Sequence, residues 1–160
     1  MTLHTGPDCN MSPIPSAPPT GQPGQNKVCT SSGGNNAGCA YHDGNPQSYG
    51  KAFNDAGGGV FAHILDSTGI RIWHFARADI PQDITNGTPD PTTWGEPVAS
   101  FSSSTCNTAT KFYDHVLTIN ITVCGDWAGA AFNSGSCPGV ASCEVAAANP
   151  DNFKGKAITF

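Results

Sequence analysis

The six residues Cys124-Gly125-Asp126-Trp127-Ala128-Gly129 set an aromatic ring and a carboxylate beside a cysteine. An indole is a flat apolar plate on which the CH face of a sugar ring stacks. A carboxylate next to it accepts hydrogen bonds from hydroxyl groups. Together these residue types point to a carbohydrate-binding cleft. Acid/base chemistry is not matched to it. The chain holds only two glutamates, Glu96 and Glu144, and neither has an acidic neighbour at strand spacing. Asp79 and Asp83 are separated by Ile80-Pro81-Gln82, and the proline breaks the strand geometry that would align them. Asp114 and Asp126 fall at opposite ends of one long predicted strand, too far apart at about 3.3 Å per residue. No Gly-x-Ser-x-Gly elbow is present. No catalytic constellation is read within residues 1–160.

Composition narrows the partners. The net charge is −5 with only seven Lys and Arg, which excludes the clustered cations that nucleic acid or an anionic membrane requires. The five histidines (His4, His42, His63, His74, His115) are scattered and no Cys-x-x-Cys occurs, so no metal or cofactor is expected. No apolar run is long enough to span a membrane.

The elements that must position the cleft residues read as strands and turns. Charged residues make up 12% of the chain, against 19 Gly and 13 Pro, a composition of turns rather than helices. Tyr113–Cys124 is the clearest strand: Leu117, Ile119, Ile121 and Val123 alternate with Thr118, Asn120 and Thr122. Its end would carry Asp126 and Trp127. Val60–Leu65 and Gly69–Arg77 read as a hairpin around Asp66-Ser67-Thr68-Gly69. In its second strand Ile70, Ile72 and His74 share one face. Arg71, Trp73, Phe75 and Arg77 share the other, either a second buried face or a ligand floor, with burial favoured for Trp73. Val98–Phe101 is a short strand, and Ala157–Phe160 begins another. Glu144–Ala148 fits one helical turn halted by Pro150. Residues 6–50 form a long Pro/Gly/Ser-rich loop region. One domain, residues 1–160, is expected.

Seven cysteines in so polar a chain imply an oxidising compartment. Cys29 and Cys39 read as a pair closing a small loop, and Cys137 and Cys143 as a second. The sequons at Asn10, Asn86 and Asn120 are compatible with secretion and glycosylation. Met1 to Gly6 lack the features of a leader peptide, so the chain reads as a processed form or a fragment.

Several segments in order carry a family resemblance: Met1-Thr2-Leu3-His4-Thr5-Gly6-Pro7-Asp8-Cys9, Ser48-Tyr49-Gly50 with Phe53-Asn54 and Gly57-Gly58-Gly59, Ile70-Arg71-Ile72-Trp73-His74-Phe75, Ile80-Pro81-Gln82-Asp83-Ile84, Trp94-Gly95, Cys106-Asn107, the Cys124 to Gly129 motif and Cys137-Pro138-Gly139. Across its length the chain resembles the fungal laminarinase-like endo-1,3(4)-β-glucanases of glycoside hydrolase family 16. The resemblance implies an all-β fold, a concanavalin-like jelly roll of two stacked antiparallel sheets with a glucan cleft, here incomplete, loop-rich and disulfide-stapled. It implies hydrolysis of β-1,3 or mixed-linkage glucans with retention by two glutamates in a Glu-x-Asp-x-x-Glu strand. That motif precedes the segment matching Met1 to Gly6, so the chain reads as the C-terminal part of such an enzyme, itself inactive. Trp127 is similar to a sugar-stacking tryptophan and His4 to a cleft histidine, with Asp126 a hydroxyl acceptor beside them.

Four expectations follow for the whole chain. Cys106–Cys124 joins the two loop pairs as a structural disulfide. Cys9 either pairs beyond residues 1–160 or breaks one of these assignments. The partner is a β-glucan polysaccharide or oligosaccharide, bound by a secreted glucanase or by a non-catalytic, lectin-like or immunomodulatory derivative. Open sheet edges predict marginal stability or self-association.

Overall fold

The computed structural model describes residues 1–120, 122–132 and 139–155. The chain divides into two compact units, Met1–His115 and Val116–Phe160.

The first unit is built on two antiparallel sheets. One has the order β1-β3-β2, from β1 (Thr2–Leu3), β2 (Gln22–Pro23) and β3 (Cys39–His42). The other has the order β4-β5-β6, from β4 (Gly59–Asp66), β5 (Gly69–Ala76) and β6 (Ala99–Ser102). Three short helices, α1 (Gly50–Asp55), α2 (Gln82–Thr85) and α3 (Thr108–Lys111), lie in the connections. The hairpin expected around Asp66-Ser67-Thr68-Gly69 is present, with Asp66 opposite Gly69 and Val60 opposite Phe75. Its turn is held by the Asp66 carboxylate, which accepts from the Thr68 amide at 2.8 Å and pairs with Arg71. Gly69 lies at φ 145, and a Cβ there would come within 2.1 Å of the Phe101 carbonyl. Only glycine lets β5 begin so close to β6.

Alternation along β1 and β3 turns Leu3, Cys39 and Tyr41 inward. Across the unit, Ile70, Ala99 and Phe101 meet them, with Cys9, Cys29 and Cys106. Tyr41 and Phe101 pack edge to face with centroids 5.2 Å apart, and burial raises the Tyr41 hydroxyl pKa above its ordinary value. The opposite face of β5 is closed as well. Trp73 and Phe75 meet Trp94 edge-on at 5.4 and 5.7 Å. The Trp73 indole donates to the Gly95 carbonyl at 3.0 Å, and the Trp94 indole to Asp83 at 2.8 Å. The Trp73 side of the strand is therefore a second buried face, and Trp94 packs its loop onto it. Arg77 serves as a donor to the Gly57 carbonyl.

Two disulfides lie in this core. Cys29 joins Cys39, the small-loop pair suggested by their spacing. Cys9 joins Cys106 across 97 residues, and Cys124 joins Cys143 in the second unit. The expected Cys106–Cys124 and Cys137–Cys143 pairs are thereby corrected. Cys106 follows β6 into the core against Cys9, where spacing along the chain carries no information about proximity in space. Cys137 lies outside the described residues.

The second unit corrects the clearest sequence expectation. Tyr113–Cys124 forms no strand in its described residues, and Val116, Leu117, Ile119 and Val123 are exposed, Leu117 to 92%. A strand satisfies its backbone groups only beside a partner, and none runs along this segment among the described residues. The backbone instead turns at Cys124 and Gly125, both at positive φ, into helix α4 (Asp126–Ala131). A further helix, α5 (Cys143–Ala148), is capped by the Ser142 hydroxyl and followed by a 3-10 turn at Pro150–Asn152. That agrees with the helical turn expected before Pro150. The strand expected at Ala157–Phe160 lies outside the described residues.

Candidate functional site

The three candidate binding residues fall in different units: His4 in the first, Asp126 and Trp127 in the second. Alternation places His4. Leu3 faces the core, so Thr2 and His4 turn outward beyond β1, beside Ala40 and His42 of β3 and Gln22 of β2, which pairs with His42. The His4 ring bonds the Ser31 hydroxyl at 3.0 Å. It also lies against Gly38, where a Cβ would come within 2.7 Å of it. This outward sheet face is polar and open, with His4, His42, Thr2 and Gln22 exposed. His42 and Gln22 were not singled out from the sequence. The signal lay in the short Cys39–His42 alternation, whose inward members Cys39 and Tyr41 define its outward ones.

In the second unit Trp127 sits in the first turn of α4, and its side chain is 83% exposed. Asp126 beside it is exposed too. The segment enters α4 through Cys124, pinned by its bond to Cys143. An indole held on a disulfide-anchored turn and left in water is available for stacking. The same unit contains a cavity of about 370 Å³ lined by Val123, Phe132, Val140, Ala146 and Phe153. The sequons at Asn10, Asn86 and Asn120 are all exposed.

Carboxylates elsewhere serve turns. Asp83 takes its hydrogen bond from the Asp90 amide at 2.6 Å, and the Trp94 indole and Ile84 amide add to it. Led by the Asp90 amide and opposed by desolvation, these donors hold its pKa below the ordinary value. At Asp66 desolvation pushes the pKa up, but the Thr68 hydroxyl and amide, Arg71 and the Gly69 amide together bring it down. Glu144 is lowered by its own amide and the Ser142 hydroxyl. A glycosidase acid needs the opposite, a raised carboxyl pKa. Among the described residues no group of three or more His, Cys, Asp or Glu gathers as a metal site. None of their helices is long and apolar enough to cross a membrane.

One polar pair was not foreseen. His74 of β5 is 1% exposed in its side chain and bonds Asp43 at 2.8 Å. Phe61 stacks on its ring at 4.7 Å, and its Nε2 has no partner. Nothing in sequence spacing joins positions 31 residues apart, and only the register of β5 brings His74 inward.

Comparison with known proteins finds one family along the chain. The model of the XgeA-like, catalytic GH16 domain matches residues 1–158. A probable glycosidase of Schizosaccharomyces pombe is 42% identical over 96% of this chain and 36% of its own length. A probable endo-1,3(4)-beta-glucanase of Aspergillus flavus is 35% identical over 96% of the chain and 23% of its own. Among solved structures, GH16 Laminarinase 16A from Phanerochaete chrysosporium superposes with a TM-score of 0.76 at 36% identity. That structure holds two β-glucans, in both donor and acceptor sites, and the match covers 95% of this chain and 51% of the laminarinase. A family 16 β-1,3-glucosyltransferase superposes at 0.73 with 32% identity, covering 52% of its length. The chain thus spans about half the length of the solved proteins it matches and less of its curated relatives. An antiparallel, sheet-based and disulfide-stapled first unit, a match along residues 1–158 and superposition on laminarinases together assign this chain to glycoside hydrolase family 16.

Proposed function

We propose that residues 1–160 supply the glucan-binding part of a secreted endo-1,3(4)-β-glucanase, one that hydrolyses β-1,3 or mixed-linkage chains with retention. The observation that carries the reading is the exposed Trp127 indole on its disulfide-anchored turn. Asp126 accepts sugar hydroxyls beside the indole, and His4, on the outward side of β1 in its own unit, is a second sugar-contacting candidate. Retention requires two carboxyl groups about 5–5.5 Å apart, one as nucleophile and one as acid/base. In this reading residues 1–160 do not contain that pair, so they bind glucan without cleaving it. Asp66 and Asp83 are each tied to backbone amides of their own turns, which supports the inactivity. Secretion is supported by three disulfides and three exposed sequons.

Calorimetry with laminari-oligosaccharides tests the binding claim. Wild type gives saturable heat, and Trp127→Ala weakens binding about three- to tenfold, from the loss of an aromatic contact. No binding by folded wild-type protein removes the proposal. Laminarin hydrolysis by pure residues 1–160 refutes the inactivity claim alone. A second reading draws on the same indole: a non-catalytic, lectin-like or immunomodulatory glucan-binding protein. It predicts biologically sufficient affinity in residues 1–160 by themselves, whereas the enzyme reading needs the acid pair present for any effect on the polymer.

A further inference from the structure

Strand β5 turns Arg71 and Trp73 to the side away from Ile70 and the core it shares with Phe101. Since the two sheets meet across that core, this face lies on the far side of the first unit from His4. A cavity of about 320 Å³ opens on it, at the lower end of the size range of small-ligand clefts. One wall is the turn at 14–17, closed by the Ala17 amide donating to the Ile14 carbonyl at 3.0 Å. It contributes Ser16 and, just after it, Pro18. The other wall is the 3-10 turn Pro91–Thr93 with the residues that follow, which contribute Pro91, Glu96 and Pro97. Both walls are tied down. The Ile14 amide donates to the Ser100 hydroxyl at 3.0 Å and the Thr20 amide to the Pro97 carbonyl at 2.9 Å. The Asp90 carboxylate caps the 3-10 turn, accepting from the Thr92 amide at 3.1 Å. A cavity between walls so fixed is preformed.

Its polar groups are not used up by the fold. Asp66 engages Nη2 of Arg71 and leaves the buried Nε without a partner, so the guanidinium keeps N–H groups with no protein acceptor. Glu96 and Ser16 are exposed, and neither side chain has a hydrogen-bond partner among the described residues. A donor group, an acceptor group and a hydroxyl thus line one space with three prolines and Trp73. The charges choose the ligand. Asp66 already balances Arg71, so an anion gains little there and meets Glu96 as well. A cation finds a single exposed carboxylate, which water and salt screen. A neutral ring with several hydroxyls uses every group present. Its hydroxyls both donate and accept, and its C–H groups pack on the prolines and the indole.

From this arrangement we infer a second sugar site, on the face of the first unit away from His4, that holds a short stretch of β-glucan without acting on it. It anchors the polymer independently of Trp127, Asp126 and His4. That the sugar is a glucan rests on the proposed function; the preference for a neutral, hydroxyl-rich ring stands on Arg71, Glu96 and Ser16.

The three tryptophans of the chain provide the test, since each indole N–H gives its own NMR signal. Trp73 lines the cavity and donates to Gly95 of its wall, whereas Trp127 belongs to the second unit. Titration of isotope-labelled protein with laminaritriose is expected to shift the Trp73 indole, the Gly95 amide and the Arg71 Nε signal saturably, and equally so in Trp127→Ala. Glu96→Ala removes an exposed side chain, so the fold is kept. It should weaken these shifts about tenfold, the loss of a hydrogen bond to a charged group, and leave the Trp127 shift unchanged. Trp127 responding while the cavity signals stay still overturns the second site and leaves the proposed function standing. The cavity responding while Trp127 is silent supports the second site and removes the indole from the proposed function. No response anywhere overturns both. Cavity shifts that vanish in Trp127→Ala, or that survive Glu96→Ala unchanged, also overturn the inference. Tighter saturation by acetate or methylammonium than by laminaritriose overturns the choice of a neutral ligand.

Discussion

The two units of this chain treat similar apolar patterns in opposite ways. In Met1–His115, alternating segments find partners: β5 lies between β4 and β6, and Ile70 and Phe101 are buried against Tyr41 and two disulfides. In Val116–Phe160, the segment with the most regular alternation forms no strand in its described residues, with Leu117 and Val116 exposed. The difference is not one of propensity, since β-branched residues recur in both, as in Val60, Ile70 and Ile72 of the one and Val116, Thr118 and Ile119 of the other. It lies in whether a neighbour is there to satisfy the backbone and cover one face. Alternation prescribes what a strand does with a neighbour and says nothing about whether one exists.

The largest effect expected from this contrast is at the cross-links. The Cys9–Cys106 bond closes a span of 97 residues and Cys124–Cys143 one of 19. Replacing Cys9 and Cys106 by serine should destabilise the first unit by about 2–5 kcal/mol, more than the corresponding change at Cys124 and Cys143, because the longer loop loses more entropy when closed. Guanidinium unfolding followed by Trp fluorescence checks this. Equal losses would mean that loop length does not govern the two cross-links. Next comes packing. Phe101→Ala should cost about 3–5 kcal/mol, since the ring is buried against Tyr41. Urea melts that show under 1 kcal/mol would place the core elsewhere.

The same contrast explains what could be read from the sequence. The hairpin was legible because everything that specifies it is local: β-branched residues, a two-residue turn and an Asp that ties it. The burial of Trp73 was favoured from the sequence because its face also carries Phe75, although Arg71 and Arg77 flank the two rings and left a ligand floor as the alternative. The Cys9–Cys106 pair and the His74–Asp43 pair were not, because they join positions 97 and 31 residues apart. Trp127 was singled out from the sequence but placed on a strand end. The positive φ of Cys124 and Gly125 turns the chain into a short helix there instead. His4 was identified by resemblance, while its outward direction follows from the inward Leu3, a one-residue inference that also exposes His42.

Acid offers a third way to sharpen the comparison, because its targets concentrate in the first unit. Asp66 and Asp83 have pKa values lowered by folding. Their stabilisation is full above the ordinary carboxylate pKa of about 4 and is lost as pH falls through the lower folded values. His63 is lowered too, first by desolvation and then by His115. The unfolded chain therefore takes up its proton first, and stability begins to fall below about pH 6.5. Thermal melts from pH 7 to 3 should show a shallow loss below about 6.5 and a steeper one below about 4. A melting temperature flat from pH 7 to 5 would remove the His63 contribution while leaving the carboxylates.

The smallest effects belong to the second unit. Ser142→Ala removes the hydroxyl that accepts from the Val145 amide at 3.3 Å and should cost about 0.5–1 kcal/mol. Leu117→Ala should change stability by no more than about 0.5 kcal/mol, because a side chain already 92% exposed gives up almost no buried area. In a paired strand the same substitution would cost about 2–5 kcal/mol. A single urea melt of Leu117→Ala therefore decides between the two states of this segment. A near-zero change keeps it unpaired, and a loss of several kcal/mol means that a partner strand covers it in solution.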